Sequence, residues 1–283
     1  ALCHVLDTAL ARQPHRRGFG CEVQGIAQRP QEAVVDFMQD GTPHREAFDA
    51  VLVANGSASR LRPPELVRYD RQYPWGAMWL IRPLTEQLAM FDRPHLQQRY
   101  DGPAVMLGAL PSGSVPDAPG QKLLSLFWSL PVAAMPQWRA PGFDLAGWQL
   151  EATTLWPELA PVIDAIASPD ELIPATYRDV ILSRWGSGRI GVIGDAAHAM
   201  SPQLGQGANM ALLDASAMAR AVAAGSDWAD AWARYHAERA GSIRFYQGMS
   251  RLLTPLFQSD RDVLARLRDA AFLPMGRLPV ARG

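Results

Sequence analysis

The stretch "RIGVIGDAAHAMSPQLGQGANMALLDA", Arg189 to Ala215, decides the fold. "IGVIG" is an apolar run of strand length that ends in a lone acid, Asp195. In open α/β sheets ligands bind beyond the C-terminal ends of the strands, which is where Asp195 falls. Ala196, Ala197 and Ala199 keep the following surface low. Pro202 turns the chain, and Gly205 and Gly207 let backbone come close to a ligand with no Cβ in the way. From about Gly207 the pattern becomes helical, with Met210, Leu213, Ala217 and Ala221 on one face. The first turn of that helix offers unpaired N–H groups and the positive end of its dipole. A carboxylate beside such a helix start suits a ligand that joins hydroxyls to an electron-rich ring edge. The carboxylate accepts from the hydroxyls, and the amides stabilise negative charge.

Working outward, "FDAVLVANG" is a second short apolar run, ending in Asn55-Gly56. Nearer the start, "CEVQGI" and "EAVVDFM" read as paired strands, with "QDG" as the turn after them. Leu2, Val5, Leu6 and Leu10 share a helical face in the opening segment. From Tyr73 to about Pro131 the runs "WGAMWLI", "QLAMF", "AVMLGAL" and "LLSLFWSL" have strand length. "FDLAGWQLEATTLW" and "PVIDAIA" read as helical. "TYRDVILSRW" and "RIGVIGD" return to strands across a "GSG" turn, and the rest is mostly helical with breaks at Pro255 and Pro274. The expected class is therefore α/β: a nucleotide-binding fold interrupted by a β-rich domain and followed by a helical C-terminal region. The expected boundaries are 1–70 for the first part of the nucleotide-binding domain and 71–176 for the β-rich domain. The second part covers 177–225, and 226–283 is the helical region.

Composition bounds the function. Hydrophobic residues make up 48% of the 283 and charged residues 19%, so a sizeable core is available. A net charge of -1 supplies no field for nucleic acid. No apolar run reaches membrane-spanning length. Cys3 and Cys21 form no zinc-type or C-x-x-C spacing, so no metal site is expected and a reducing, cytoplasmic setting is the default. Lys122 is the sole lysine and has no supporting context.

The Arg189–Ala215 stretch resembles the second flavin motif of the FAD-dependent aromatic hydroxylases, the group of p-hydroxybenzoate hydroxylase and the ubiquinone-pathway hydroxylases. Gly194, Asp195, Ala196, Ala197, His198, Pro202, Gly205, Gly207 and Asn209 match its pattern. The resemblance implies that Asp195 binds the ribityl chain. It implies that Pro202 and the Gly205, Gln206, Gly207, Ala208 and Asn209 segment line the isoalloxazine ring, and that Gly194 belongs to the cofactor-binding set. "FDAVLVANGSASRLR" resembles the family's middle motif, matching at Gly56, Ser59 and Arg62, with Asn55 in place of an Asp linked to FAD and NAD(P)H contacts. Asn keeps a hydrogen-bonding side chain but loses the charge. The competing reading there is a plain type I′ turn at Asn55-Gly56.

The family's opening Gly-x-Gly-x-x-Gly unit, which holds the FAD pyrophosphate, has no counterpart here. "GFG" at Gly18 to Gly20 precedes a strand and reads as a turn. The chain also opens on Ala without Met, which reads as a fragment of a longer protein. By resemblance the function is NAD(P)H- and O₂-dependent hydroxylation of an aromatic or other electron-rich small molecule, with FAD as cofactor. Two alternatives stand beside it: a flavin-dependent halogenase or reductase-like relative, and a truncated remnant that holds no flavin.

Other residues carry weaker claims, and no general acid or base stands out. His198 beside the acid has a structural or cofactor-supporting role or a proton-transfer one. Trp75 and Trp79 alternate around Met78, so both face one side of a strand, as a pocket wall or as core. Arg178 meets either a bound anion or solvent. Arg220, Arg234 and Arg239 are expected on solvated helix faces. "WADAWARYHAERAGSIRFYQGMSRLL" packs on the nucleotide-binding domain or forms a homodimer contact.

Overall fold

The computed structural model describes residues 2–259 and, beyond them, 261, 263, 264, 266–268 and 270. In chain order the elements are α1 (Leu2–Leu10), β1 (Cys21–Gln28), β2 (Ala33–Gln39), β3 (Thr42–Phe48), β4 (Val51–Val53) and β5 (Val67–Pro83). They continue with β6 (Gln97–Asp101), β7 (Val105–Val115), β8 (Ala118–Pro131), α2 (Leu145–Leu155), α3 (Ala160–Ile163) and β9 (Ile173–Leu182). The chain closes with β10 (Gly186–Ser187), β11 (Ile190–Val192), α4 (Asp195–His198), α5 (Gly207–Ala224) and α6 (Trp228–Phe257). The mixed α/β class with a helical C-terminal region is what forms.

Two compact units divide the chain. One comprises 1–15, 74–176 and 254–283, and the other comprises 16–73 and 177–253. The first is built on a five-stranded sheet of order β6-β7-β8-β5-β9. The pairs β6–β7, β7–β8 and β8–β5 are antiparallel, with Trp79 opposite Phe127 and Gly108 also opposite Phe127 from the other side. Alternation then sorts the side chains. Met78, Leu80, Leu107, Leu126 and Trp128 enter a core with Trp148 and Ile163. Trp75 and Trp79 take the opposite face. The Phe127 ring lies flat over Gly108, where a Cβ would fall 2.0 Å from its Cζ. Trp79 packs on the same ring, centroids 4.9 Å apart.

The second unit holds two small sheets, β1-β2-β3 and β10-β11-β4. In the latter, β11 pairs parallel with β4, Val192 opposite Val53, and antiparallel with β10. The core is formed by Val53, Val180, Trp185, Val192, Met210 and Tyr235 with their neighbours. Trp232 from α6 lies across Gly186 and Gly191, where Cβ atoms would fall within 2.6 Å of its indole, and its Nε1–H donates to the Gly188 carbonyl at 2.9 Å. The aromatic stretch of α6 thus packs inside this unit.

Several local expectations are corrected. "QLAMF" is a 3-10 turn spanning Glu86–Phe91, not a strand; Leu88 and Phe91 face inward at the three-residue spacing of that helix. β3 and β6 form from polar sequences that show no apolar alternation, each paired along one edge only. Pro255 does not break α6, which runs on to Phe257. Pro274 lies outside the described residues. α1 forms, yet buries none of its side chains.

Candidate functional site

The parallel pairing of β4 with β11 sets the geometry of the site. Parallel neighbours end at the same edge of a sheet, so the loop after Val53 and the loop after Val192 emerge side by side. The first carries Asn55 and Gly56, and the second carries Gly194 and Asp195. The Ile193 amide donating to the Val53 carbonyl at 3.0 Å continues the ladder to that edge. The Asn55-Gly56 pair is not a hairpin turn; the chain leaves β4 through irregular backbone.

Gly194 adopts φ +59°, a conformation that disfavours a side chain, and this bend starts α4 at Asp195. Asp195 is exposed while Ala196, Ala197 and His198 behind it are buried. Among the described residues no donor engages the Asp195 carboxylate. After the Pro202–Leu204 turn, Gly205 at φ +62° reverses the chain into α5. A Cβ at Gly205 or Gly56 would meet nothing within 4 Å, and one at Gly207 would sit 3.6 Å from Asp195 Oδ1. The loop surface is therefore low and open beside the acid.

The start of α5 is uncapped by any side chain at its N-cap, Gln206. The first helical bond is from the Met210 amide to the Gln206 carbonyl, which leaves the amides of Gly207, Ala208 and Asn209 available. Asn209 Nδ2 donates to Gln206 Oε1 at 2.9 Å, and Pro202, Ala208 and Asn209 are exposed. An acceptor, a row of donors and an open floor thus converge on one edge.

Arg62 is placed differently from the expectation of a cofactor contact. Its side chain is 3% exposed. Its Nε–H donates to the Ala196 carbonyl at 2.5 Å, and its Nη atoms donate to the carbonyls of Ser59 (2.7 Å) and Ser57 (2.5 Å) and to Asp70 Oδ2 (2.8 Å). All its donors point at protein, so it joins the two loops from behind. Burial pulls the guanidinium below its ordinary value, Asp70 pulls it back up, and Arg178 adds to the lowering. Arg178, expected to meet either an anion or solvent, is partly exposed and pairs with Asp70 Oδ1 at 2.7 Å.

Two further corrections concern the helices. Leu213 is 42% exposed, and the buried position on α5 belongs to Asp214, which is 0% exposed. Arg239, expected on a solvated face, is buried, and its Nε–H donates to Asp214 Oδ1 at 2.9 Å. His198 Nε2 meets Asp214 Oδ2 at 2.5 Å. Burial pushes the Asp214 carboxyl up, but the His198 bond, the Arg239 pair and the Gly194 amide outweigh it and hold the carboxyl below its ordinary value. Arg220 and Arg234 are exposed and paired with Glu238 and Asp230. A signal existed: Asp214 lies on the Met210, Ala217 and Ala221 stripe, and Arg239 on that of Trp232, Tyr235 and Ile243.

In the other unit Trp75 is buried and Trp79 partly so. A separate cleft of about 730 Å³, lined by Arg16, Val35, Phe37, Phe48 and Leu52 among others, contains none of the sequence-predicted site residues. Among the described residues no cluster of side chains has the makings of a metal site. No described helix is long and apolar enough to cross a membrane.

The loop edge lies on the α/β unit of a chain that also holds a β-rich unit. Comparison with known proteins shows what the chain is similar to. Residues 149–244 match the family described as FAD binding domain. Over 256 residues the chain is 28% identical to kynurenine 3-monooxygenase of Stenotrophomonas maltophilia, covering 83% of this chain and 50% of that protein. A 95-residue stretch is 37% identical to the 2-heptyl-3-hydroxy-4(1H)-quinolone synthase of Mycobacteroides abscessus, covering 34% of this chain and 24% of that one. The fold is shared with Klebsiella pneumoniae HpxO, solved with FAD and uric acid, at a TM-score of 0.68 and 22% identity, covering 88% of this chain and 61% of that one. It is shared also with Pseudomonas aeruginosa PqsL, a probable FAD-dependent monooxygenase, at 0.65 and 21%, covering 88% and 66%. In sequence and fold the chain is a relative of the FAD-dependent aromatic hydroxylases. It spans about half the length of the kynurenine 3-monooxygenase it matches.

Proposed function

We propose that this chain carries the flavin-ring portion of an FAD-dependent monooxygenase that uses NAD(P)H and O₂ to hydroxylate a small aromatic molecule. The observation that supports this reading most is the exposed, unpartnered Asp195 beside the uncapped start of α5, on a floor with no side chain in the way. Asp195 would accept from ribityl hydroxyls. The amides of Gly207, Ala208 and Asn209 would face the electron-rich edge of the ring, and Gly205 and Pro202 would lie along it. Asn55 and Gly56, on the neighbouring strand end, would border the same ligand. The residues fit the ring and ribityl parts of FAD. The glycine motif for the pyrophosphate is not among these 283 residues.

Bound flavin would supply the transfer of electrons from NAD(P)H and the activation of O₂. The protein's share is to fix the ring, place negative charge next to helix-end amides and hold back water. Trp75 and Trp79 are the aromatic surface proposed for substrate. A cytoplasmic setting and a homodimer complete the reading. The halogenase, reductase and flavin-free alternatives gain no support from the matches.

The test is the visible absorption spectrum of the 283-residue chain purified from flavin-rich cells, followed by FAD titration of the parent and D195A. Bound-flavin bands in the parent and weakened binding in D195A are expected. A folded, colourless parent that takes up no added FAD would refute flavin binding by this chain.

A further inference from the structure

The buried face behind the Asp195 loop holds a polar cluster that touches no proposed ligand group. Asp214 Oδ2 accepts from the Gly194 amide at 3.0 Å and meets His198 Nε2 at 2.5 Å, while Oδ1 accepts from Arg239 at 2.9 Å. The Gly194 carbonyl accepts from the amides of Ala197 and His198 at 2.9 and 3.1 Å. One carboxylate therefore grips both ends of the five-residue bend, its first N–H and its last side chain, with Asp195 between them.

The protonation pattern follows from the contacts. Facing a carboxylate, His198 Nε2 carries the proton and donates. His198 Nδ1 is buried and has no hydrogen-bond partner, so a second proton there would be an unsatisfied buried donor. Arg239 supplies a balancing charge to Asp214. Trp185 packs edge-on against the His198 ring, centroids 6.1 Å apart, which limits its rotation.

We propose that Asp214 is a positioning residue: anchored by Arg239, it clamps Gly194 and His198 and so fixes where Asp195 is presented to a ligand. That the ligand is a flavin rests on the function proposed above. The competing role for Asp214 is to neutralise buried Arg239 and nothing more. Paired replacements separate the two. D214L/R239M exchanges the ion pair for apolar groups of similar size, which is close to neutral for the pair itself. It removes the acceptor for Gly194 and His198. D214N/R239M removes the same charges but keeps an amide oxygen as acceptor.

The experiment measures backbone hydrogen exchange at 193–198, the thermal midpoint and FAD titration by fluorescence for the parent and both double variants. With midpoints close to one another, exchange at the bend is expected at least about tenfold faster in D214L/R239M than in D214N/R239M, as for loss of one buried acceptor. FAD affinity should fall by a similar factor in the leucine variant only. Equal protection in the two variants overturns the clamp. If the leucine variant does not fold, imidazole nitrogen spectra of the parent decide. An Nε2–H tautomer with a slowly exchanging proton supports the clamp; an Nδ1–H tautomer or a fast-exchanging ring proton overturns it. If the parent takes up no FAD, the flavin reading fails, and the exchange arms still decide the role of Asp214.

Discussion

Replacing Arg62 with Met removes a guanidinium whose side chain is 3% exposed while keeping much of its volume. Its Nε–H bond to the Ala196 carbonyl is lost, and so are the bonds to Ser57 and Ser59. Ala196 is fully buried, so its carbonyl loses a charge-assisted bond with no water to replace it, at about 1–3 kcal/mol. The Ser57 and Ser59 carbonyls lie nearer solvent and add less. Asp70 keeps Arg178 at 2.7 Å and is not left alone. The total is about 4 kcal/mol, within the range for breaking one side of a buried ion pair. Spread over a domain of this size, that lowers the thermal midpoint by about 10 °C. The assay is thermal unfolding of the parent, R62M, R62K and R178M, followed by circular dichroism. R62K should fall between parent and R62M, because an ammonium serves Asp70 but cannot fork to three carbonyls. R178M, whose Arg is 28% exposed, should lose at most about 1 kcal/mol. An R62M midpoint within experimental error of the parent, or one equal to that of R178M, refutes the view of Arg62 as the staple between the two loops.

Three other outcomes are expected. G108A places a methyl 2.0 Å from the Phe127 ring and should cost about 1–3 kcal/mol, with at least half recovered in G108A/F127L by the same thermal assay. Asp214 is held below its ordinary carboxyl value of 3.8, so its contribution is present above that value and is lost as pH falls through the lower folded one. Unfolding midpoints below about pH 4 should therefore decline less steeply in D214N/R239M than in the parent. Burial pushes Tyr73 and Tyr100 up to about 12, and Tyr235 higher still. Stability from keeping these phenols neutral is complete below the ordinary tyrosine value of about 10 and disappears as pH rises through the folded values. Phenolate absorbance should therefore develop in two stages, the later one with unfolding; a single step for all six tyrosines would contradict it.

The strand ends that carry the site were legible because the residues there do unusual things for a crossover. Gly194, Gly205 and Gly207 occupy places where a side chain is strained or would narrow the floor, and Asp195 breaks an apolar run at its C-terminal end. The polar support was legible only as position. Stripe spacing admits Asp214 as well as Leu213, and Arg239 beside Trp232, Tyr235 and Ile243. Residue type favours Leu213 and sends Arg239 to solvent, since either charge alone would be costly inside. Only their pairing across two helices makes burial tolerable, and pairing between positions far apart has no periodicity. The same holds for Arg62, which matches a motif yet points its donors at carbonyls. β3 and β6 went unread because edge pairing needs backbone groups and little apolar alternation.

The bond from Arg62 to Ala196 joins positions 134 residues apart, and the 74–176 segment of the β-rich unit lies between them in the chain. During synthesis at roughly 5–20 residues per second, β4 and Arg62 leave the ribosome on the order of ten seconds before β11 can reach them. Through that interval Val53 has no parallel neighbour in β11 and the guanidinium has no Ala196 carbonyl to hold. The inserted unit can complete its antiparallel hairpin pairs meanwhile, because β6, β7 and β8 follow one another closely. Vectorial folding should then form the hairpins of the insert first and close the Asp195 edge later, leaving the ligand-facing loops as a late-maturing part of the nascent chain.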